Sequence, residues 1–175
     1  MNRTKWVERK FDFSGVPVGV FPSVLERLRG TPARLEEMTR GLAEDVLTAR
    51  HDGAWSIKEQ VGHLFDLDEL HEGRLEDYRE RREVLRAADM ENRKTYEANH
   101  NAAPVRELLA SFRAARARFV SRLEEMDEEA IARTALHPRL RQPMRVIDMA
   151  LFVAEHDDHH LASVTEIIKT MSAER

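Results

Sequence analysis

The sequence predicts an all-α protein, a four-helix bundle, and three observations carry that reading. Apolar residues recur at three- and four-residue spacing through four long segments. No segment shows the period-two alternation of a strand, and only seven glycines and six prolines punctuate 175 residues. A chain of this length makes one domain, residues 1–175, with a sizeable core. Its 42% apolar and 34% charged residues exclude collagen-like, low-complexity and largely disordered classes.

Residues 1–19 carry Trp6, Phe11, Phe13, Gly15, Pro17 and Gly19 without a helical period, and read as an extended arm whose aromatics pack on the body. From Val20 to about Leu42, Val24, Leu25, Leu28, Leu35, Met38 and Leu42 trace the apolar stripe of a first helix. Gly30-Thr31-Pro32 interrupts it, giving either a kink or two helices end to end. A second helix starts near Ser56, which with Glu59 and Gln60 makes a capping pattern, and continues to about Arg82. Residues 83–103 are polar and weakly periodic, a long connection able to run back along a bundle. Pro104 opens a third helix ending near Met126, and a fourth runs from about Pro143 to Met171. Helices of roughly 23 to 28 residues would each be ~35–42 Å long, well matched for bundling.

The chain has no cysteine, so a disulfide scaffold, a thiol nucleophile and a Cys metal site are excluded, and any metal must be held by His and carboxylates. A net charge of −4 with interleaved signs offers no field for nucleic acid or an anionic membrane. Neither a membrane span nor a secretory leader is visible, and a cytoplasmic location is the expectation. The notable excess is eight histidines.

Placed about 100° apart on a helical wheel, His156 and His160 fall in the apolar half of the fourth helix, whereas His159 falls among Glu155, Ser163 and Glu166. Their i, i+4 spacing lets two imidazoles meet one cation. His63, beside Leu67 and Leu70 on the second helix, supplies a third inward imidazole. Three neutral imidazoles form an open site for Zn²⁺ or Ni²⁺. Core histidines satisfied by other partners are the competing reading. His71 reads as a core or boundary histidine and Trp55 as a packing anchor.

Three charged residues also fall in apolar arcs: Asp68, Arg116 and Asp157. They form either an internal ion pair or functional groups, with Asp157 as a base or support for a ligating imidazole and Arg116 as the holder of an anionic substrate. A zinc-protease reading of His156-Asp157-Asp158-His159-His160 lacks a peptide-binding strand. A di-iron reading lacks an inward carboxylate on the third helix.

The run Trp55-Ser56-Ile57-Lys58-Glu59-Gln60-Val61-Gly62-His63-Leu64, with His137-Pro138-Arg139-Leu140 and Glu155-His156-Asp157-Asp158-His159-His160-Leu161, resembles the DinB-like (damage-inducible) superfamily of metal-binding four-helix bundles. The resemblance covers residues 20 to 171. It implies one long crossover between helices two and three, one divalent metal ion, zinc or nickel, on His63, His156 and His160, and a homodimer. It also implies a small-molecule substrate, with a metal-dependent thiol S-transferase using a low-molecular-weight thiol cosubstrate, or a hydrolase, as the expected activity. A non-catalytic, metal-stabilised stress or ligand-binding protein is the alternative.

Overall fold

The structure, a computed structural model, describes residues 3–50 and 53–173, so Met1 and Asn2 of the expected arm lie outside the described residues. In chain order the helices are α1 (Phe21–Thr39), α2 (Glu44–Thr48), α3 (Ile57–Arg79), α4 (Arg93–Glu97), α5 (Val105–Glu124), α6 (Glu128–Ile131) and α7 (Val146–Ala173). The four long ones, α1, α3, α5 and α7, make the bundle. Both α1 and α3 pack on α5 and α7, so consecutive long helices α1 and α3 lie on opposite corners.

Ion pairs and hydrogen bonds along the seams fix the helix directions. Asp68, Glu72 and Glu76 of α3 meet Arg116 and Arg122 of α5 in the same order, so these neighbours run parallel. Gln60 at the start of α3 meets His160 midway along α7, while Tyr78 near its end donates at 2.9 Å to the carbonyl of Met144, just before α7 begins, so α3 and α7 are antiparallel. Parallel neighbours cannot be joined by a tight turn. Residues 80–104 return along the bundle between them, the long crossover that the family resemblance implied, and carry α4 on the way.

Local chemistry sets the helix boundaries. Ser56 Oγ accepts from the Glu59 N–H at 3.2 Å and Glu59 Oε2 accepts from the Ser56 N–H at 2.9 Å, a complete capping box at the start of α3. In α1 the sequence allowed a kink or a break, and the helix is continuous through Pro32. Proline has no N–H, so the Leu28 carbonyl loses its helical donor. Arg116 Nη1 from α5 donates to that carbonyl at 3.4 Å.

The start of the fourth helix differs from the sequence reading. The segment expected to open the fourth helix, Gln142–Arg145, is a strand (β2) paired antiparallel with β1, Thr134–His137, and α7 begins only at Val146. Four residues per strand are too few for alternation to stand out, although Ala135 and His137 point inward while Thr134 and Leu136 point out. The hairpin matters because it delivers His137 and Arg139 to the cavity described below.

The core is divided. One apolar cluster gathers Leu25, Leu28, Leu75, Phe119, Leu123 and Val153, and a second gathers Leu35, Val61, Leu64, Phe112, Leu161 and Val164. Between them, at mid-height, Thr31, Asp68, Arg116 and Asp157 form a fully buried polar layer. Among the described residues, no helix is long and apolar enough to cross a membrane.

Candidate metal centre

His63 on α3 and His156 and His160 on α7 are all buried, and one ring nitrogen from each lies within 4.8 Å of the others. The ring centres are 4.4 Å apart for His156 and His160, 4.8 Å for His63 and His160, and 5.4 Å for His63 and His156. Burial pulls the His63 pKa down to about 4, against a smaller opposing effect of Asp66. Burial, reinforced by the neighbouring imidazoles, lowers His156 and His160 as well. All three rings are therefore neutral near pH 7, the state a metal ligand requires.

The hydrogen bonds around the rings fix where the lone pairs point. Gln60 Nε2 donates to the Trp55 carbonyl at 3.5 Å, which turns Gln60 Oε1 toward His160 to accept from its Nδ1–H. The lone pair of His160 is thus on Nε2. Thr95 Oγ1 donates to Asp66 Oδ2 at 3.0 Å, so it can only accept from His63 Nδ1, 3.2 Å away, and the His63 lone pair is on Nε2 too. His100 Nε2 donates to the same Asp66 oxygen at 2.8 Å. Nε2 of His156 faces Nε2 of His160 at 3.0 Å, and the buried Nδ1 of His156 has no hydrogen-bond partner. Converging lone pairs on neutral rings repel unless a cation lies among them, so this donor set fits a divalent ion, with carboxylate-backed imidazole orientation on the His63 side.

The chain Asp66–Thr95–His63 could not be seen from helix periodicity because Thr95 and His100 arrive from the crossover. One signal pointed to it: Gly62 in the interior of α3. A Cβ on Gly62 would sit 2.2 Å from the His100 ring, so only glycine admits the residue that holds Asp66. The other polar residues of the Trp55–Glu59 run fasten the fold. Ser56 Oγ donates to Asn101 Oδ1 at 2.6 Å, buried Lys58 pairs with Glu44, and Glu59 pairs with Arg50. Trp55 is a wall of the site and not a remote anchor, its ring 4.5 Å from that of His63.

The three imidazoles sit in a cavity of about 680 Å³ whose apolar lining includes Trp6, Leu67, Leu70, Met90 and Phe152. Trp6, carried by the N-terminal arm, packs its ring 4.8 Å from His156 and 4.9 Å from Phe152. His159 lies half-buried at the rim, hydrogen-bonded to Arg3, and does not join the three. His71 is buried in the lining with Nδ1 unpartnered.

Arg116 and Asp157 stand elsewhere, in the internal ion pair that the sequence allowed, which corrects the alternative roles of substrate holder and base. Arg116 is 1% exposed and lies off the cavity; its Nη2 donates to Asp68 at 3.0 Å and to Asp157 at 3.1 Å, and its Nη1 also bonds Asp157. No donor remains for a substrate. Asp157 accepts from Arg116 and from Thr31 Oγ1 at 2.7 Å, and makes no contact with a ligating imidazole, so it is neither base nor imidazole support. Although burial opposes its charge, Asp157 and then Asp68 raise the Arg116 pKa, whereas burial lifts Asp68 to about 6 because one guanidinium cannot offset two carboxylates.

A sequence profile of the DinB superfamily matches residues 27–164, a span that contains all three imidazoles, the polar layer and the crossover. The chain belongs to the DinB superfamily. Among solved structures, a similar one is YfiT from Bacillus subtilis, described as a probable metal-dependent hydrolase with an unusual four-helix bundle topology. It has 20% sequence identity and a TM-score of 0.80, over 94% of each chain. At that identity the likeness shows a shared fold, and the parallel α3–α5 pair is where this DinB superfamily member departs from an up-down-up-down bundle. No curated protein matches the chain.

Proposed function

We propose that this protein is a metal-dependent hydrolase of a small molecule, in which His63, His156 and His160 hold one divalent ion, Zn²⁺ or Ni²⁺. The observation that carries this reading is the convergence of three neutral imidazoles in the wall of an open cavity. The likeness to YfiT, described as a probable metal-dependent hydrolase, supports the same class. A bound ion would supply Lewis acidity and a water of lowered pKa.

The residues of the chain do the rest. Gln60 and Thr95 keep the protons of His160 and His63 on Nδ1, so that Nε2 faces the centre. Trp6, Trp55 and Phe152 hold an apolar substrate body and thin the water around the reacting atoms. Ligation by three imidazoles leaves room for an exogenous group. Thiol transfer is the second reading, favoured by one observation: with no cysteine in the chain, a sulfur ligand can come only from a small cosubstrate.

Metal analysis and turnover test this together. The purified protein is expected to carry about one divalent ion per chain, lost in His63→Ala, His156→Ala and His160→Ala and kept in His159→Ala. A panel of small esters and amides, assayed with and without bacterial thiols, should show chelator-sensitive turnover. If the three variants keep their metal, the centre is wrongly placed. Turnover only with a thiol, together with a thiolate-to-Co²⁺ charge-transfer band in the cobalt-substituted protein, would replace hydrolysis by transfer.

A further inference from the structure

The cavity has a second polar end that the metal centre does not use. Arg74 from α3 is 2% exposed, and its Nε donates to the Arg86 carbonyl at 3.2 Å. Among the described residues its two terminal nitrogens make no hydrogen bond and no carboxylate forms an ion pair with it. Arg139, at the turn of the hairpin, makes no hydrogen bond or ion pair among the described residues; its buried Nη2 is unpartnered, and its guanidinium lies 5.5 Å from the Phe152 ring and 5.8 Å from the Trp6 ring. His137, 2% exposed, accepts the Leu140 N–H on Nδ1 at 3.2 Å, which places its proton on Nε2, and that buried Nε2–H also lacks a partner.

These three groups line one cavity and disfavour one another's charge. Burial, with Arg74 and Arg139, pushes His137 down to about 3, and burial, with Arg139 contributing, brings Arg74 down to about 10. The one acid in the lining among the described residues, Asp89, is committed to the N–H groups of Glu91 and Arg93 and to Arg93 Nε. Elsewhere in the bundle a buried guanidinium is matched by two carboxylates, as Arg116 is. A desolvated guanidinium with empty terminal donors is costly, and an oxyanion presents the two parallel acceptors that such a fork fits.

We propose that Arg74, Arg139 and the Nε2–H of His137 form the binding site for a substrate oxyanion, so that the molecule acted on is a small organic anion bearing a carboxylate or phosphate group. Trp6 touches both His156 and Arg139, so a single indole separates the two ends of the cavity. The substrate is therefore short: its charge rests on the arginines, its body on Trp6 and Phe152, and its reactive bond at the imidazoles. This deepens the hydrolase reading and rests on it for the reactive end only.

The test uses the metal-depleted full chain, with inorganic phosphate, butyrate and uncharged butyramide as probes, followed by calorimetry and tryptophan fluorescence. At least one anion is expected to bind more than tenfold tighter than butyramide. Arg139→Gln, which loses no hydrogen bond of the fold, should weaken it at least tenfold, and Arg74→Lys, which keeps charge but loses the fork, should weaken it as well. His160→Ala should leave anion affinity unchanged, so a protein that fails to hydrolyse anything yet keeps this pattern overturns the function reading alone. Phosphate alone binding assigns a phosphate monoester, butyrate alone a carboxylate. Equal affinity for butyramide and both anions, or parent-like anion binding by Arg139→Gln, overturns the proposal.

Discussion

His156 and Asp157 are adjacent on α7, both are buried, and they belong to clusters with opposite fates. Asp157 turns toward α1 and α5, where Arg116, Asp68 and Thr31 saturate one another from within the chain. His156 turns toward α3, where three ring nitrogens converge without saturating one another. Both clusters are polar and buried. The difference lies in completion: a buried polar cluster whose donors and acceptors close on themselves is a clasp, whereas one with surplus lone pairs or donors is a site.

Breaking the clasp should have the largest effect. Arg116→Ala leaves two buried carboxylates without a counter-charge, and a loss of about 3–5 kcal/mol in denaturant unfolding is expected, with little change in metal content if the protein folds. A loss below about 1 kcal/mol would show that water reaches the layer. Touching the support of the open cluster should act the other way round. Thr95→Val removes the acceptor for His63 Nδ1–H, and about 10- to 100-fold weaker metal binding is expected, with a smaller loss of metal-free stability than in Arg116→Ala, about 1–3 kcal/mol for the orphaned N–H. Competition with a chromophoric chelator measures it.

The smallest effect concerns protons. His63 and His137 are held at about 4 and about 3, below their ordinary 6.5, so between those values and pH 6.5 the unfolded chain binds more protons and metal-free stability falls as pH falls. Asp68, lifted from 3.8 to about 6, has the opposite sign: the folded state binds the extra proton in that window and gains stability as pH falls through it. Because the histidines outnumber this one acid, unfolding should take up protons between pH 6.5 and 5. In His137→Asn the uptake, read from the pH slope of the denaturation midpoint, should drop by about one proton.

The same contrast explains what the sequence could disclose. The wheel separated His156 and His160 from His159, and marked Asp68, Arg116 and Asp157 as inward, because helical period and burial are local properties of one element. Whether an inward charge is satisfied depends on other elements, so the sequence leaves Asp68, Arg116 and Asp157 open between an internal ion pair and functional groups, and only the packing of α1, α3, α5 and α7 decides for the ion pair. Thr95, His100 and Arg139 lie on the crossover and the hairpin turn, where no period exists to orient them. The start of α7 was misplaced for a related reason: Pro143 suits a first helical turn, yet strand pairing with Leu136 claims it.

Pro32 has a consequence for how the bundle is assembled. The carbonyl it frees on Leu28 is a mark at one height of α1, and Arg116 on α5 reads that mark while gripping Asp68 on α3 and Asp157 on α7. Apolar seams alone tolerate sliding by a helical turn, about 5.4 Å. Here such a slip in α3, α5 or α7 would strand a charge in hydrocarbon, and one in α1 would strand the Leu28 carbonyl and the Thr31 hydroxyl. One guanidinium thus indexes all four helices to a common level, and the imidazoles of α3 and α7 meet because the helices that carry them cannot settle in any other register.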